Sequence, residues 1–414
     1  MKAYIKMNKK NIWYISKYIP PAYAAKNQAR GFLILSELKK KGHNTLLITS
    51  DSSHQTNAPI FKGRYYKEQV EGVEVHWVRT LKYKKSTSIG RILSWLDFEL
   101  QLFRMPKKTL FKPDVVIVSS MSIFTILNGL VLRKKYNCKL IFEVRDIWPL
   151  VLICSGNLNK NNIFVKFLAW LEKLAYKKAD KVVGTMPNLS ARIFDVTHKE
   201  ITAACVPQVI DPKLLLPPSP LSDQYIKQYI PSGKIIICHA GSIGINNSLD
   251  IFLASARALH HRTDIHFLIV GEGDLKPKYQ EENKEFSNIT FAPRVEKNQV
   301  QSVLELTDIV YFSVAKSILW EYGQSLNKVI DYMLSGKPIL ASFSGYPSMI
   351  NEAECGVYVP AEDEEALIDA IQQFADLAPA ERERMGQRGR EWVIKHRNVQ
   401  AVAQTYLDVI KDLD

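Results

Sequence analysis

YGQSLNKVIDYMLSGKPILAS, from Tyr322 to Ser342, reads as a loop, a helix, a turn and a strand. Val329, Ile330, Met333 and Leu334 recur at helical spacing, so one face of the helix is buried. Gly336 supplies the left-handed backbone that ends a helix, and Pro338 follows where a helix cannot continue. Ile339, Leu340 and Ala341 then read as a buried strand. Gly323, Gln324, Ser325 and Asn327 form a polar approach to the helix. A loop entering a helix presents free N–H groups and a positive dipole end to an anion. Lys328 adds a full charge in the first turn, where a cation is unfavourable for the helix itself, so the pattern predicts a local anion. Asp331 lies three residues on, on roughly the same face. A diphosphate on the helix tip, with a ribose beside the carboxylate, would use all of these groups. A capped helix with a solvated Lys328 and Asp331 fits the same residues.

Around this stretch the second half of the chain repeats strand, loop and helix. Strands are expected from Lys234 and over Phe267–Val270, Ile289–Phe291, Ile309–Phe312, Pro338–Ala341 and Gly356–Val359. The first half shows the same alternation, with strands at Asn11–Tyr18, Thr45–Ile48, Val73–Val78, Val115–Val118, Lys139–Val144, Lys181–Gly184 and Ala203–Val206. A helix from about Gln28 to Lys41, closed by Gly42, makes the first unit a βαβ crossover, which implies a parallel sheet. LLLPPSPLS at Leu214–Ser222 is the proline-rich break between the halves. The fold class is therefore α/β, with two tandem doubly wound domains.

The 414 residues allow two or three domains, and 46% hydrophobic with 23% charged residues is ordinary for a globular chain. Five scattered cysteines without a CxxC pair argue against a zinc site or a disulfide framework and fit a reducing cytoplasm. Met1–Lys10 is charged and followed by a short apolar run, which is not a secretory pattern. Val115–Leu132 carries no charge, but its serines favour a strand, a serine turn and a helix over a membrane span. The net charge of +13 is uneven: residues 1–200 hold 35 Lys and Arg against 14 Asp and Glu, and the remainder holds 20 against 28. A basic half meets nucleic acid or an anionic lipid surface. Ser88–Lys112 and Ile163–Lys181 mix apolar, aromatic and basic residues at helical spacing, as an interfacial helix does, or as a core helix with a solvated basic face does.

Gly241-Ser242-Ile243-Gly244 follows the first strand of the second half and precedes a helix, where open α/β sheets bind ligands. Glycines let backbone approach a phosphate closely, although a tight turn needs them too. Gly271-Glu272-Gly273 and Phe291-Ala292-Pro293-Arg294 occupy equivalent strand ends, and Arg294 could reach a phosphate. In FEVRDIWPL, Phe142–Leu150, the carboxylates Glu143 and Asp146 stand at a strand end. They could position a substrate hydroxyl or act as a base, or one could form an internal ion pair with an arginine. No metal-ligand spacing, GxSxG or Walker motif is present.

These residues resemble family 4 glycosyltransferases, and most closely the branch that includes N-acetyl-L-fucosamine transferases of bacterial O-antigen and capsule synthesis. The likeness runs through the PP-x(8)-R pattern Pro20–Arg30, Leu35–His43, PDVVI at Pro113–Ile117, FEVRDIWPL, EKLAYKKAD at Glu172–Asp180, GSIG, VGEGD at Val270–Asp274, and SLNKVIDYMLSGKP. It implies a GT-B fold, two Rossmann-like domains facing across a cleft. Residues 1–206, joined by the C-terminal helix 395–414, would face acceptor and membrane, and 207–394 would bind the nucleotide sugar. Gly241, Ser242, Gly244 and Gly271 would approach the diphosphate and sugar. Ser325, Asn327 and Lys328 would hold the diphosphate, Asp331 the ribose, and Arg294 a phosphate or base. Lys328, Arg294, Asp146 and Glu143 would be the catalytic set. The family's usual first glutamate falls on Gly323, with Glu321 nearby, and its second acid is Asp331. The loop PPAYAAKNQAR lacks the family's glycine, and Gln208-Val209 stands where NG is usual.

The resemblance implies a cytoplasmic retaining glycosyltransferase, peripherally attached to the inner face of the plasma membrane. Its donor would be UDP-linked, its acceptor a lipid-diphosphate-linked saccharide, and it would need no metal or other cofactor. A sugar-nucleotide 2-epimerase of the same fold is the alternative reaction. A basic nucleic-acid-binding protein is the alternative class, but the basic half lacks a helix-turn-helix signal and an aromatic-interleaved platform, so no nucleic-acid partner is expected.

Overall fold

The computed structural model describes residues 8–26, 29–53, 56–83, 88–155 and 158–413. Among these described residues the strands are β1 Asn11–Ile15, β2 Asn44–Ser50, β3 Tyr65–Val70, β4 Val73–Val78, β5 Val115–Ser119, β6 Lys139–Val144, β7 Lys181–Gly184, β8 Ala204–Cys205, β9 Ile235–Ala240, β10 Ile265–Val270, β11 Ile289–Ala292, β12 Ile309–Ser313, β13 Ile339–Ser342 and β14 Gly356–Val359. The α-helices are α1 Arg30–Lys40, α2 Ile89–Arg104, α3 Thr125–Tyr136, α4 Leu150–Ser155, α5 Ile163–Lys178, α6 Leu189–Thr197, α7 Asp223–Tyr229, α8 Asp250–Ala258, α9 Lys276–Glu282, α10 Val300–Glu305, α11 Asn327–Leu334, α12 Met349–Glu352, α13 Glu364–Asp376, α14 Pro379–Arg397 and α15 Val399–Lys411. They fall into two units, residues 1–211 with 399–414, and residues 212–398.

The first unit is an eight-stranded sheet in the order β3-β4-β2-β1-β5-β6-β7-β8. All pairs are parallel except β3 with β4. That edge hairpin is absent from the sequence reading. Its two-residue turn is Glu71-Gly72, both with positive φ (48° and 77°), and such turns match the twist of the strands they join. On one face α1 and α15 cover Ile12, Tyr14, Val75, Val115 and Ile141. On the other, α3 brings Tyr136 against Trp13, and α5 brings Tyr176 against Phe142. The uncharged run Val115–Leu132 is divided among β5, a turn and the start of α3, as expected. No helix among the described residues is long and apolar enough to cross a membrane. Helix α1 starts at Arg30; Gln28, where the sequence placed its start, lies outside the described residues, as does Asn27.

The second unit is a wholly parallel six-stranded sheet, β11-β10-β9-β12-β13-β14. Strand order reverses between β9 and β12, and open α/β sheets bind ligands at such a switch point, beyond the strands' carboxyl ends. One face is covered by α8 and α13, where Phe252 stacks on Tyr311 with ring centroids 4.1 Å apart. Helix α11 lies on the other face, with Tyr332 against Phe312.

Candidate active site

Three segments meet at the switch point of the second unit. The GSIG loop leaves β9, Ser313 ends β12, and α11 begins at Asn327. Asn247 connects them. Its Nδ2 donates to the carbonyl and the hydroxyl oxygen of Ser242, both at 2.9 Å. Its carbonyl accepts from Ser313 Oγ at 2.5 Å, and its Oδ1 accepts from the Lys328 ammonium. Tyr332, one turn along α11 from Lys328, ties the helix to the end of β9. Its hydroxyl accepts from Ala240 N at 2.9 Å and donates to Ala240 O at 3.1 Å. Lys328 is thus fixed beside the glycine loop rather than spread into solvent. Burial lowers its pKa to about 8. Under the loop, burial and then Lys328 push the fully buried His239 down to about 3, so its imidazole is neutral. A Cβ on Gly241 would lie 3.3 Å from the His239 Nε2.

The first turn of α11 has no side-chain cap. Just before it, Ser325 Oγ and Gln324 Oε1 are buried without a hydrogen-bond partner. Gln324 Nε2, by contrast, donates to Ser348 Oγ and Tyr358 Oη. An orphaned hydroxyl just before the helix and a partly desolvated ammonium in its first turn suit an anion at the start of α11. Asp331 is half-buried one turn further on, and Asn327 is exposed. The geometry therefore brings together Gly241, Ser242, Ser325 and Lys328. Gly244 opens onto free space, with nothing within 4 Å of a Cβ placed there.

Gly271 and Gly273 serve the neighbouring loop. A Cβ on Gly271 would meet the Gly241 carbonyl oxygen at 1.8 Å, and one on Gly273 the Ile243 carbonyl oxygen at 2.0 Å. The two loops continue the pairing of β9 and β10 past the strands: Ile243 N donates to Glu272 O at 2.9 Å. Lys276 braces them from below, donating to Gly271 O at 2.9 Å and Ala292 O at 3.1 Å. Gly273→Ala should cost at least about 1–3 kcal/mol, because the backbone oxygen it meets cannot turn aside. Urea unfolding of the variant measures this, and an unchanged midpoint would show that the loops part freely. Arg294 is exposed beyond the edge strand β11, two strands from β9.

The first-unit candidates separate. Asp146 is half-buried in the loop after β6. Burial raises its pKa, against the pull of Arg145 and Arg91. Ser120 Oγ holds this loop, accepting from Arg145 N at 3.0 Å and donating to Asp146 O at 3.1 Å. Glu143, expected as a strand-end carboxylate open to substrate, needs correction. It is fully buried, ion-paired to Arg30 at 2.8 Å, and accepts hydroxyl hydrogens from Tyr406 at 2.8 Å and from Tyr14. Its side chain points into the layer of α1 and α15, so it braces the unit, and the internal ion-pair alternative is the one observed. Asn247, Tyr332, His239 and Lys276 were not singled out in the sequence. Asn247 stands three residues after the GSIG loop, but nothing there marks it as the partner of Lys328.

Two doubly wound sheets, one wholly parallel and one parallel except for its edge hairpin, correspond to the GT-B class of fold. Structures of that class align over nearly the whole chain. Sucrose-phosphate synthase from Thermosynechococcus elongatus has a TM-score of 0.70 at 17% identity, over 98% of this chain and 99% of its own. The E. coli trehalose-6-phosphate protein bound with UDP-2-fluoro glucose has a TM-score of 0.70 at 12% identity, over 97% and 98%. Anabaena HepE in complex with UDP and glucose has a TM-score of 0.60 at 11% identity, over 97% and 100%. No curated protein is significantly similar to the chain. Residues 234–376, which contain every gathered group, match the family described as Glycosyl transferases group 1. The glycosyltransferase match thus falls on the second unit, and the chain as a whole shares the GT-B fold.

Proposed function

We propose that the protein is a retaining glycosyltransferase that moves a sugar, N-acetylfucosamine or a related amino sugar, from a UDP-linked donor to a lipid-diphosphate-linked saccharide. The reaction belongs to surface polysaccharide synthesis (O-antigen or capsule), at the cytoplasmic face of the plasma membrane. The observation that carries the reading is the desolvated Lys328 at the uncapped start of α11, fixed by Asn247 beside the GSIG loop. Such a group stabilises charge as it builds on a departing diphosphate, and it does so without reorganisation. The UDP and UDP-sugar complexes of structurally similar proteins support the choice of donor. Positive charge comes from Lys328 and backbone N–H groups, so the reading needs no metal ion, and turnover should survive a chelator. Retention follows if the acceptor hydroxyl attacks from the leaving-group side.

A panel of UDP-, GDP- and dTDP-sugars, each with and without a lipid-diphosphate saccharide, tests the reading. The expected result is transfer from a UDP-sugar with the anomeric configuration kept. A sugar-nucleotide product formed with donor alone would assign the 2-epimerase reaction instead. Asp331→Asn keeps the shape of the side chain and removes the charge that would accept ribose hydroxyls. It should weaken UDP binding about tenfold, the difference between a charged and a neutral acceptor. Unchanged UDP affinity by calorimetry would remove Asp331 from the ribose site.

A further inference from the structure

Asn247 is buried between the GSIG loop and α8, and both polar atoms of its side chain are engaged. Its partners fix which way the amide points. The Ser242 carbonyl can only accept, and the Lys328 ammonium can only donate. So Nδ2 must face Ser242, at 2.9 Å from both of its oxygens, and Oδ1 must face Lys328. The backbone is held as well. Asn247 N donates to Gly244 O at 2.9 Å, and Asn247 O accepts from Ser313 Oγ at 2.5 Å. A leucine of similar size has neither polar group. An aspartate would set an anionic oxygen against the Ser242 carbonyl.

Asn247 thus offers Lys328 an oxygen without a charge. Among the described residues Asn247 Oδ1 is the hydrogen-bond acceptor of the ammonium, and burial lowers the Lys328 pKa with no carboxylate opposing it. His239 beneath the loop stays neutral, and Asp331 lies three residues along α11. An ammonium carries three N–H donors, so one tie leaves two of them, and the whole charge, for a ligand. We propose that Asn247 is a positioning residue for the nucleotide diphosphate: its amide ties the Lys328 ammonium to the glycine loop without neutralising it, so that loop and cation meet the diphosphate as one preorganised unit. The proposal rests on the donor reading given above and adds to it the group that orients the cation. Charge that is already in place needs no rearrangement when the anion arrives. A lysine without this tie would spread over several rotamers, and about an ångström of misplacement costs up to ~10²-fold in rate.

Titration calorimetry of the full chain with UDP is the test, with circular dichroism to show that each variant is folded. Asn247→Leu should weaken UDP binding about tenfold, the loss of one charge-assisted hydrogen bond. Lys328→Ala weakens it as well. Adding Asn247→Leu to Lys328→Ala should then cost less than about twofold more, because a residue that acts through Lys328 has nothing left to orient. Asn247→Asp separates orientation from charge. Near neutral pH it should weaken UDP by about tenfold or more, since the carboxylate cancels the ammonium and repels the diphosphate. Yet it should move the alkaline loss of UDP binding, expected at about 8 in the wild type, upward by about 1–3 pH units, because a carboxylate beside an ammonium favours its proton. Asn247→Leu should not raise it. Wild-type UDP affinity in Asn247→Leu, or losses from Asn247→Leu and Lys328→Ala that multiply, overturn the proposal. So does an unmoved alkaline loss in Asn247→Asp, which decides alone if Asn247→Leu does not fold. A wild type that does not bind UDP, or that binds it equally well after Lys328→Ala, overturns the donor reading and with it this proposal.

Discussion

Lys328→Ala is expected to lower turnover by about 10²–10³-fold while the second unit stays folded. Removing one preorganised donor to a developing anion costs about 2.7–4 kcal/mol in the transition state. Lys328 is such a donor: it is half-buried, its Nζ is pinned by Asn247, and Asn247 is pinned in turn by Ser242 and Ser313. The alanine leaves no buried unpaired charge, so the fold should survive. Turnover measured beside circular dichroism checks both halves of the statement, and a wild-type rate would remove Lys328 from the diphosphate. The ammonium also sets a pH dependence. Its folded pKa is lowered to about 8, while the unfolded value stays near ~10.4. Between those values the unfolded chain binds more protons, so the stability of the free protein should rise with pH across that window. UDP binding needs the proton and should weaken as pH climbs through about 8.

Arg30→Met is expected to destabilise the first unit by about 3–5 kcal/mol, because it leaves the Glu143 carboxylate buried without its counter-charge. The site is closed from three sides. Arg30 Nη1 meets Glu143, Arg30 Nε donates to Pro207 O at 2.7 Å, and Nη2 donates to Val206 O at 2.5 Å. Burial by itself would raise the Glu143 pKa; Arg30 and then Arg145 outweigh it and hold the group below its usual range. A depressed carboxylate contributes stability that is present above the unfolded value of ~4.3 and is lost as pH falls through the folded value. Urea unfolding near neutral pH reads the mutational cost, and the same titration below pH ~4 should find the wild type weakened. A loss under about 1 kcal/mol would mean that water or rearrangement relieves Glu143, and its role as a brace would fall.

The alternation of strands and helices was readable because hydrophobic period is a local property. It placed β9, β10, β12 and β13 to within a residue or two, and it placed the αL glycine after α11. It missed β3, whose residues YYKEQV are mostly polar because an edge strand has one neighbour and an open face. The glycine loop and Lys328 were legible as a pair, since chemistry at strand ends follows from topology. Their link through Asn247 was not, because an asparagine in a polar loop has no signature until its partner, 81 residues on, is folded against it. Glu143 shows the same limit in reverse. A carboxylate at a strand end looks available, and only the placement of Arg30 and Tyr406 on helices α1 and α15 shows that it is enclosed. In α2 the mixture of apolar and basic residues was visible, but whether its aromatics faced in or out was not; Trp95 faces in and Phe103 faces out.

Tyr406 closes the Glu143 site from 263 residues away along the chain, and α15 completes the apolar layer over Tyr14 and Ile141. During synthesis the first unit emerges early but lacks this cover until residues 399–411 have left the ribosome. By then every residue of the second unit, 212–398, has already been made. Until then Glu143 and Arg30 lie in a layer open on the side that α15 will cover, whereas the second unit already has all of its own residues. The order in which the two units can finish folding is thus the reverse of the order in which they begin to be translated.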